Sequence, residues 1–152
     1  MGSVRIEVEI EAPLDRVFVF FVPQRMPLWY VAEMDTQIEV QGGASDFHPG
    51  QKVRISGRLA GREVTLTAVV MRYDWMRALE WRFQDAYGVR GRQLWEIAEA
   101  PRGTRVTMHD DYQLPGRLGR WLDGVLMRPG VARRNRNMLA SLKRLAEGKP
   151  RS

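Results

Sequence analysis

The chain has 152 residues, 44% of them apolar, which is enough for one domain with a hydrophobic core. Its longest apolar run, VFVFFV at residues 17–22, falls well short of the roughly 18–20 residues that span a bilayer. The formal net charge is +6 and there is no cysteine, which excludes disulfides and thiol chemistry. The N-terminus alternates apolar and charged residues and does not resemble a signal peptide, so we expect a cytoplasmic protein.

The charge is unevenly distributed along the chain. Residues 1–115 hold 14 basic and 16 acidic side chains, whereas residues 116–152 hold 10 basic and 2 acidic ones. The basic surplus therefore belongs to the C-terminal segment. Such a segment is typical either of a solvated helix face or of a surface that attracts an anionic partner.

The N-terminal third predicts a strand, two short helices and a second strand. VRIEVEI alternates apolar and charged residues, which is the period of a half-buried strand. LDRVFVFF follows Pro13, a residue that is tolerated where a helix begins. PQRMPLWYV predicts a second short helix or turn interrupted by prolines, MDTQIEV predicts a strand, and QGGASDFHPG predicts a loop.

Residues 51–114 predict five further strands joined by short turns. QKVRISGRL and REVTLTAVVMRY are separated by AG, which indicates a two-residue hairpin turn. RALEWRF, GVRGRQLWEIAE and TRVTMHDDYQL complete the set. Six of the seven strands are thus consecutive neighbours, and we expect them to pair antiparallel.

From Pro115 onward the apolar residues follow the period of a helix. One stripe comprises Leu118, Trp121, Leu122 and Val125, and a second comprises Val131, Asn135, Met138, Leu139, Leu142 and Leu145. At 100° per residue the two stripes are out of phase by roughly 130°. Proline disrupts a helix, so we expect a kink or short break at Pro129 and Gly130 that lets both stripes meet one sheet. Residues 1–148 would form a single domain and residues 149–152 a disordered tail.

This order of elements resembles the START/Bet v 1-like (SRPBCC) helix-grip superfamily, in particular its polyketide cyclase/dehydrase and lipid-transport type. The resemblance is carried by VRIEVEIEAPLDRVFVFF, GREVTLTAVVMRYDWMRALEWRF and YQLPGRLGRWLDGVL, and it covers nearly the whole chain. It implies an α+β fold in which a curved seven-stranded antiparallel sheet wraps around a long C-terminal helix, with two short helices between the first two strands. It also implies an internal cavity between sheet and helix for an apolar molecule.

Strand alternation predicts which polar side chains face that interior. Gln93, Asp110 and Tyr112 interrupt the apolar inner faces of the last two strands, and Asn135 interrupts the helix stripe. Burying such groups without partners costs about 1–3 kcal/mol each, so we expect mutual hydrogen bonds, trapped water or a polar ligand. An arginine could pair with Asp110, and a one-residue bulge in HDDY would turn Asp110 outward.

The candidate ligand-binding residues combine these polar groups with aromatic and methionine side chains near them. They are Trp29, Tyr30, Trp81, Phe83, Gln93, Trp95, Met108, Asp110, Tyr112, Asn135 and Met138. The resemblance places Trp29 and Tyr30 at the entrance to the cavity. With only two histidines and no cysteine, the sequence predicts no metal site. It contains no phosphate-loop or dinucleotide-binding motif, so no cofactor is predicted.

Three functions follow from these residues, and the sequence leaves all three open. A carrier would bind or transport a small hydrophobic, lipid- or polyketide-like molecule and orient its polar end through Gln93, Tyr112 and Asn135. A polyketide cyclase or aromatase would use Asp110 or Tyr112 for proton transfer. An interaction module would use the basic C-terminal helix. No specific nucleic-acid partner is predicted, and a homodimer is possible.

Overall fold

The computed structural model describes residues 2–116 and 128–148. Seven antiparallel strands form one sheet in the order β1-β7-β6-β5-β4-β3-β2. The strands are β1 (Gly2–Ile10), β2 (Gln37–Val40), β3 (Lys52–Leu59), β4 (Arg62–Asp74), β5 (Ala78–Asp85), β6 (Arg90–Ala100) and β7 (Gly103–Gln113). Helix α1 (Leu14–Phe18) lies between β1 and β2, and the long helix α2 (Arg128–Ala146) packs against β1. The predicted α+β architecture is therefore confirmed.

The chain between β1 and β2 forms one short α-helix followed by 3-10 turns. Helix α1 starts directly after Pro13, whose φ of −67° suits the residue before a helix. The second predicted helix or turn, residues 23–31, contains one 3-10 turn, Met26–Leu28, and a second 3-10 turn, Ala32–Met34, follows it. Left-handed residues, Val31 and Asp35, flank the second turn with φ of 42° and 52°, so no continuous α-helix forms there.

Turn geometry and register confirm the strand predictions. The two residues that join β3 and β4, Ala60 and Gly61, have φ of 51° and 77°, as a type I′ hairpin turn requires. Strand β7 pairs with β1 and β6 in an unbroken register across residues 104–112. The bulge considered for HDDY does not form, so Asp110 faces the interior and Asp111 the opposite face.

Helix α2 buries the predicted stripe against the sheet. The stripe residues that are buried are Val131, Asn135, Met138, Leu139 and Leu142. Leu145 is 38% exposed, so its prediction was wrong; it lies at the edge of the stripe, and Ala146 is buried instead. Pro129 and Gly130 are the second and third residues of α2, and the kink or break predicted there stays a prediction. The first predicted stripe, before Pro129, and the predicted tail lie outside the described residues.

An aromatic cluster occupies the core beneath the sheet. The rings of Trp29, Trp81 and Trp95 are fully buried, and Trp95 meets the other two edge-on at centroid distances of 5.9 and 5.2 Å. Tyr30 and Phe21 pack against the same tryptophans. Edge-on pairs of this kind contribute about 0.5–1.5 kcal/mol each beyond the burial of their area. The cluster fixes the segment before β2 onto the sheet.

Gly57→Ala tests the close approach of that segment to β3. A Cβ atom at residue 57 would lie 2.5 Å from the carbonyl oxygen of Met34 and 2.7 Å from its Cγ. Because the backbone must move to admit it, we expect the free energy of unfolding to fall by about 1–3 kcal/mol in urea denaturation. Gly130→Ala is the control, since its Cβ meets no atom within 4 Å and alanine favours the helix. A Gly57→Ala protein as stable as the native one would contradict this packing.

Candidate functional site

Five side chains between the sheet and α2 form one buried hydrogen-bond network. They are Tyr30, Trp81 on β5, Gln93 on β6, Asp110 on β7 and Asn135 on α2, and none is more than 3% exposed. Register brings the three strand residues side by side, because Trp81 pairs with Gln93 and Gln93 pairs with Asp110. The structure therefore gathers five of the eleven candidate residues into one cluster. Their role in binding a ligand stays a prediction.

Gln93 is the centre of the network because its carbonyl oxygen accepts two hydrogen bonds. The Tyr30 hydroxyl and the Trp81 indole N–H each donate to Gln93 Oε1 at 2.8 Å. Both donors fix the orientation of the amide, so Nε2 is the atom that points toward Asp110 and donates to its Oδ2 at 3.3 Å. Strand β6 thus presents one defined donor to the carboxyl group on β7.

The two oxygens of Asp110 have different environments. Oδ2 accepts from Asn135 Nδ2 at 3.0 Å and from Gln93 Nε2, and Arg134 Nη2 lies 3.5 Å from it. The Arg134 side chain is 42% exposed, so it connects the buried carboxyl group to the surface of α2. In contrast, Asp110 Oδ1 and Asn135 Oδ1 are buried without a hydrogen-bond donor from the described part of the chain. The indole N–H of Trp95 likewise lacks an acceptor there.

Burial sets the protonation of the two acidic groups in the network. It raises the pKa of Asp110 above its ordinary value, although the hydrogen bond from Asn135 and the charge of Arg134 oppose the shift. Burial also raises the pKa of Tyr30 to about 12. Tyr30 therefore remains a hydroxyl donor across the physiological pH range.

The other candidate residues surround the network or lie beside it. Trp95, Met108 and Met138 are buried, and Trp29 is held by a 2.9 Å hydrogen bond from its indole N–H to the carbonyl of Phe20. Trp29 is fully buried, as the aromatic core requires. Phe83 and Tyr112, at 9% and 3% exposure, form a separate pair in the next row of the sheet. Gly91 lies between them in register. It has no room for a side chain, because a Cβ atom there would overlap the backbone carbonyl oxygen of Asp111.

A depression of about 1060 Å³ lies on another part of the sheet. Lys52, Arg54, Arg82 and Arg90 line it, together with residues from every strand from β2 to β7. Phe83 and Tyr112 are among the residues that line it, although their rings are buried, and no member of the buried network lines it. Sequence reasoning did not predict this surface. The sequence feature that points to it is the arginines at outward-facing strand positions, which strand pairing brings next to one another.

The basic residues of α2 are partly engaged within the molecule. Lys143 Nζ donates to the carbonyl of Glu9 and to Glu147 Oε2, and Arg134 faces Asp110. Sequence reasoning counted Arg134 only among the helix cations. Arg134 is the arginine partner that the sequence allowed for Asp110. Across residues 2–116 and 128–148, no group of three His, Asp or Glu side chains could hold a metal ion.

A family model described as polyketide cyclase/dehydrase and lipid transport matches residues 1–147. The chain belongs to this family. Membership in the polyketide cyclase/dehydrase and lipid transport family implies a hydrophobic ligand and does not identify one. No curated protein matches the sequence. Neither described helix is long and apolar enough to cross a membrane.

Solved structures confirm the Bet v 1-like helix-grip fold of this family member. Ara h 8.0201 is 11% identical, with a TM-score of 0.75 over 97% of this chain and 99% of that chain. Protein CV1439 from Chromobacterium violaceum is 15% identical, with a TM-score of 0.72 over 97% and 99%. Protein NE0264 from Nitrosomonas europaea is 14% identical, with a TM-score of 0.73 over 96% and 94%. At these identities the likeness concerns the fold alone.

Asp110→Asn tests the environment of the buried carboxyl group. The pKa of Asp110 is raised in the folded state, so the native protein keeps the Asp110 proton at pH values above the unfolded-state pKa of about 3.9. The free energy of unfolding therefore falls as pH rises from about 4 through the folded-state pKa. Asn cannot titrate, so we expect the stability of Asp110→Asn relative to the native protein to increase as pH rises from about 4 through the folded-state pKa of Asp110. Urea denaturation across that range measures it.

Asp111→Asn is the matched control on the opposite face. Partial burial raises the pKa of Asp111, but the hydrogen bonds from Ser3 and Arg92 outweigh it, and the net shift is downward. The stability that Asp111 contributes is present above about pH 4 and is lost as pH falls through its folded-state pKa. We expect the relative stability of Asp111→Asn to decrease with rising pH at acid pH. Parallel profiles for the two variants would contradict the assignment.

Proposed function

We infer that the protein binds a small hydrophobic molecule between the sheet and α2, with the polar end of the molecule at the network of Gln93, Asp110 and Asn135. Membership in a lipid-transport and cyclase family supports the class of ligand. The observation that carries the location is the pair of buried acceptors, Asp110 Oδ1 and Asn135 Oδ1, which have no donor from the described residues. A ligand hydroxyl placed there supplies the missing donor.

The energetics favour a polar contact at this point. A buried acceptor without a partner costs about 1–3 kcal/mol, and binding a hydroxyl group recovers part of that cost. The donors around Gln93 and the other oxygen of Asp110 are already fixed by the protein, so they need no reorganisation when the ligand binds. The network is therefore preorganised to recognise a hydrogen-bond donor.

Two methionines give the wall next to the network the capacity to adapt. Met108 lies two residues before Asp110 on the same face of β7, and Met138 lies one turn after Asn135 on α2. Both side chains are buried, at 0% and 2% exposure. Methionine is unbranched and changes rotamer at low cost, so these residues can make space for an apolar body. Burial of that body supplies most of the affinity.

A cyclase-type reaction is the second candidate, and the raised pKa of Asp110 favours it. A carboxyl group whose pKa is raised by burial keeps its proton to a higher pH than a free one, which suits it to proton transfer with a ligand held beside it. In a carrier, Asp110→Asn keeps most of the affinity. In an enzyme, the same variant binds ligand and loses turnover. Turnover of a bound ligand by the native protein, and its loss in Asp110→Asn, therefore separates the two candidates.

Native mass spectrometry of the purified protein tests the binding function. We expect a bound apolar molecule that denaturing extraction releases and identifies. Thermal shifts with 2-naphthol and 2-methylnaphthalene then test the polar contact, because the two probes differ by a hydroxyl and a methyl group. We expect the native protein to bind 2-naphthol about fivefold more tightly, the effect of one net hydrogen bond of about 1 kcal/mol.

Asn135→Leu removes one of the two acceptors and should abolish the preference for the hydroxyl. Thr36→Val is the control, since it removes another buried hydrogen bond, from Thr36 Oγ1 to the carbonyl of Val31, outside the network. The control should lose stability and keep the preference. An apo mass together with no thermal shift from either probe would contradict the proposed function.

A further inference from the structure

The depression on the sheet lies on its outer face, opposite α2. Its floor follows one row of paired residues, in which Val53 pairs with Ala68 and Ala68 pairs with Phe83. Those side chains are at most 9% exposed, so they point into the core. The residues on either side of the row, such as Arg54 and Arg82, are exposed and belong to the same lining. Because successive strand side chains alternate, the depression must open away from the core.

Two parallel rows of side chains, all polar except Val69, form the walls of this outer groove. Arg54, Thr67, Gln84 and Arg90 are register partners in one row. Lys52, Val69, Arg82 and Arg92 are register partners in the other. Both rows run across the sheet, perpendicular to the strands. The groove is therefore a consequence of strand pairing and not of a loop.

The walls are predominantly basic. They hold Lys52, Arg54, Arg82, Arg90 and Arg92 against two carboxylates, Glu39 and Asp111. Arg92 donates to Asp111 Oδ2 at 2.8 Å and Glu80 Oε2 at 3.2 Å, so it is already neutralised. Within the described residues, the side chains of the other four cations form no ion pair. Four cations on one continuous surface, facing a single free carboxylate, attract an anionic partner.

The dimensions of the groove favour an extended chain. Six strands spaced about 4.8 Å apart give a length of about 24 Å, and side chains two residues apart on a strand separate the rows by about 7 Å. An extended peptide rises about 3.4 Å per residue, so about seven residues fill the length. An α-helix, about 10–12 Å across with its side chains, is too wide to lie between the rows.

We propose that the outer groove between the row of Arg54 and Arg90 and the row of Lys52 and Arg82 binds an extended acidic segment of a partner protein. Carboxylates of such a segment pair with cations on both sides, and the main chain lies along the floor. Single-stranded nucleic acid fits less well, because binding without sequence preference uses aromatic rings to stack bases. The nearest rings, Phe83 and Tyr112, are buried on the other face.

Fluorescence anisotropy with fluorescein-labelled octaglutamate at low salt tests this proposal. We expect saturable binding that weakens with added salt, and no binding of labelled octalysine. Arg54→Gln/Arg82→Gln removes one cation from each row and should raise the Kd about tenfold, as the loss of two ion pairs allows. The melting temperature of each variant confirms that it is folded.

Arg133→Gln/Arg136→Gln is the control, because it removes the same charge from two exposed positions on α2. It should change the Kd less than about twofold, the effect of net charge at a distance. An equal loss in both variants would show that octaglutamate responds to total charge and would overturn the proposal. So would an absence of octaglutamate binding, tighter binding of octauridylate, or preferential binding to phosphatidylserine vesicles.

Discussion

The burial of one carboxyl group, that of Asp110, is the constraint on which the interior of this protein depends. A charged or polar group in an apolar core needs partners, and those of Asp110 on β7 come from two other elements, β6 and α2. Gln93 and Asn135 both direct N–H groups to the same oxygen. The helix can satisfy that arrangement in one rotational setting only, so the polar contact selects how α2 sits on the sheet, while apolar burial supplies most of the stability.

The same network explains why an amide lies in the middle of an apolar helix stripe. Asn135 is fully buried, and its donor is used, but its acceptor is not matched by any described residue. A purely structural polar contact would be expected to satisfy both ends. The unmatched acceptors of Asn135 and Asp110 are the feature on which the proposed recognition site rests.

The parts of the fold that repeat along the chain could be read from the sequence. Alternation in LEWRF and VTMHDDYQL assigned the inward faces correctly, because side-chain direction in a paired strand has a strict period of two. Periodicity could not define the ends of elements, so Leu145 was assigned inward, and it could not decide between a short helix and a turn for PQRMPLWYV, which contains a 3-10 turn. It also could not join distant positions: the Arg134 contact depends on how α2 packs on the sheet, and the outer groove depends on register between strands, neither of which a single sequence states.

The edges of the sheet have a consequence for self-assembly. One edge strand, β2, is four residues long, too short to template a stable intermolecular ladder. At the other edge, β1 carries outward charges, and the end of helix α2 caps its last residues: Lys143 Nζ binds the carbonyl of Glu9, and Glu147 Oε2 accepts from the N–H of Glu11. The backbone groups that a second molecule would need at that end are therefore occupied. A strand from a second molecule would have to displace these contacts before it could pair with that end of β1.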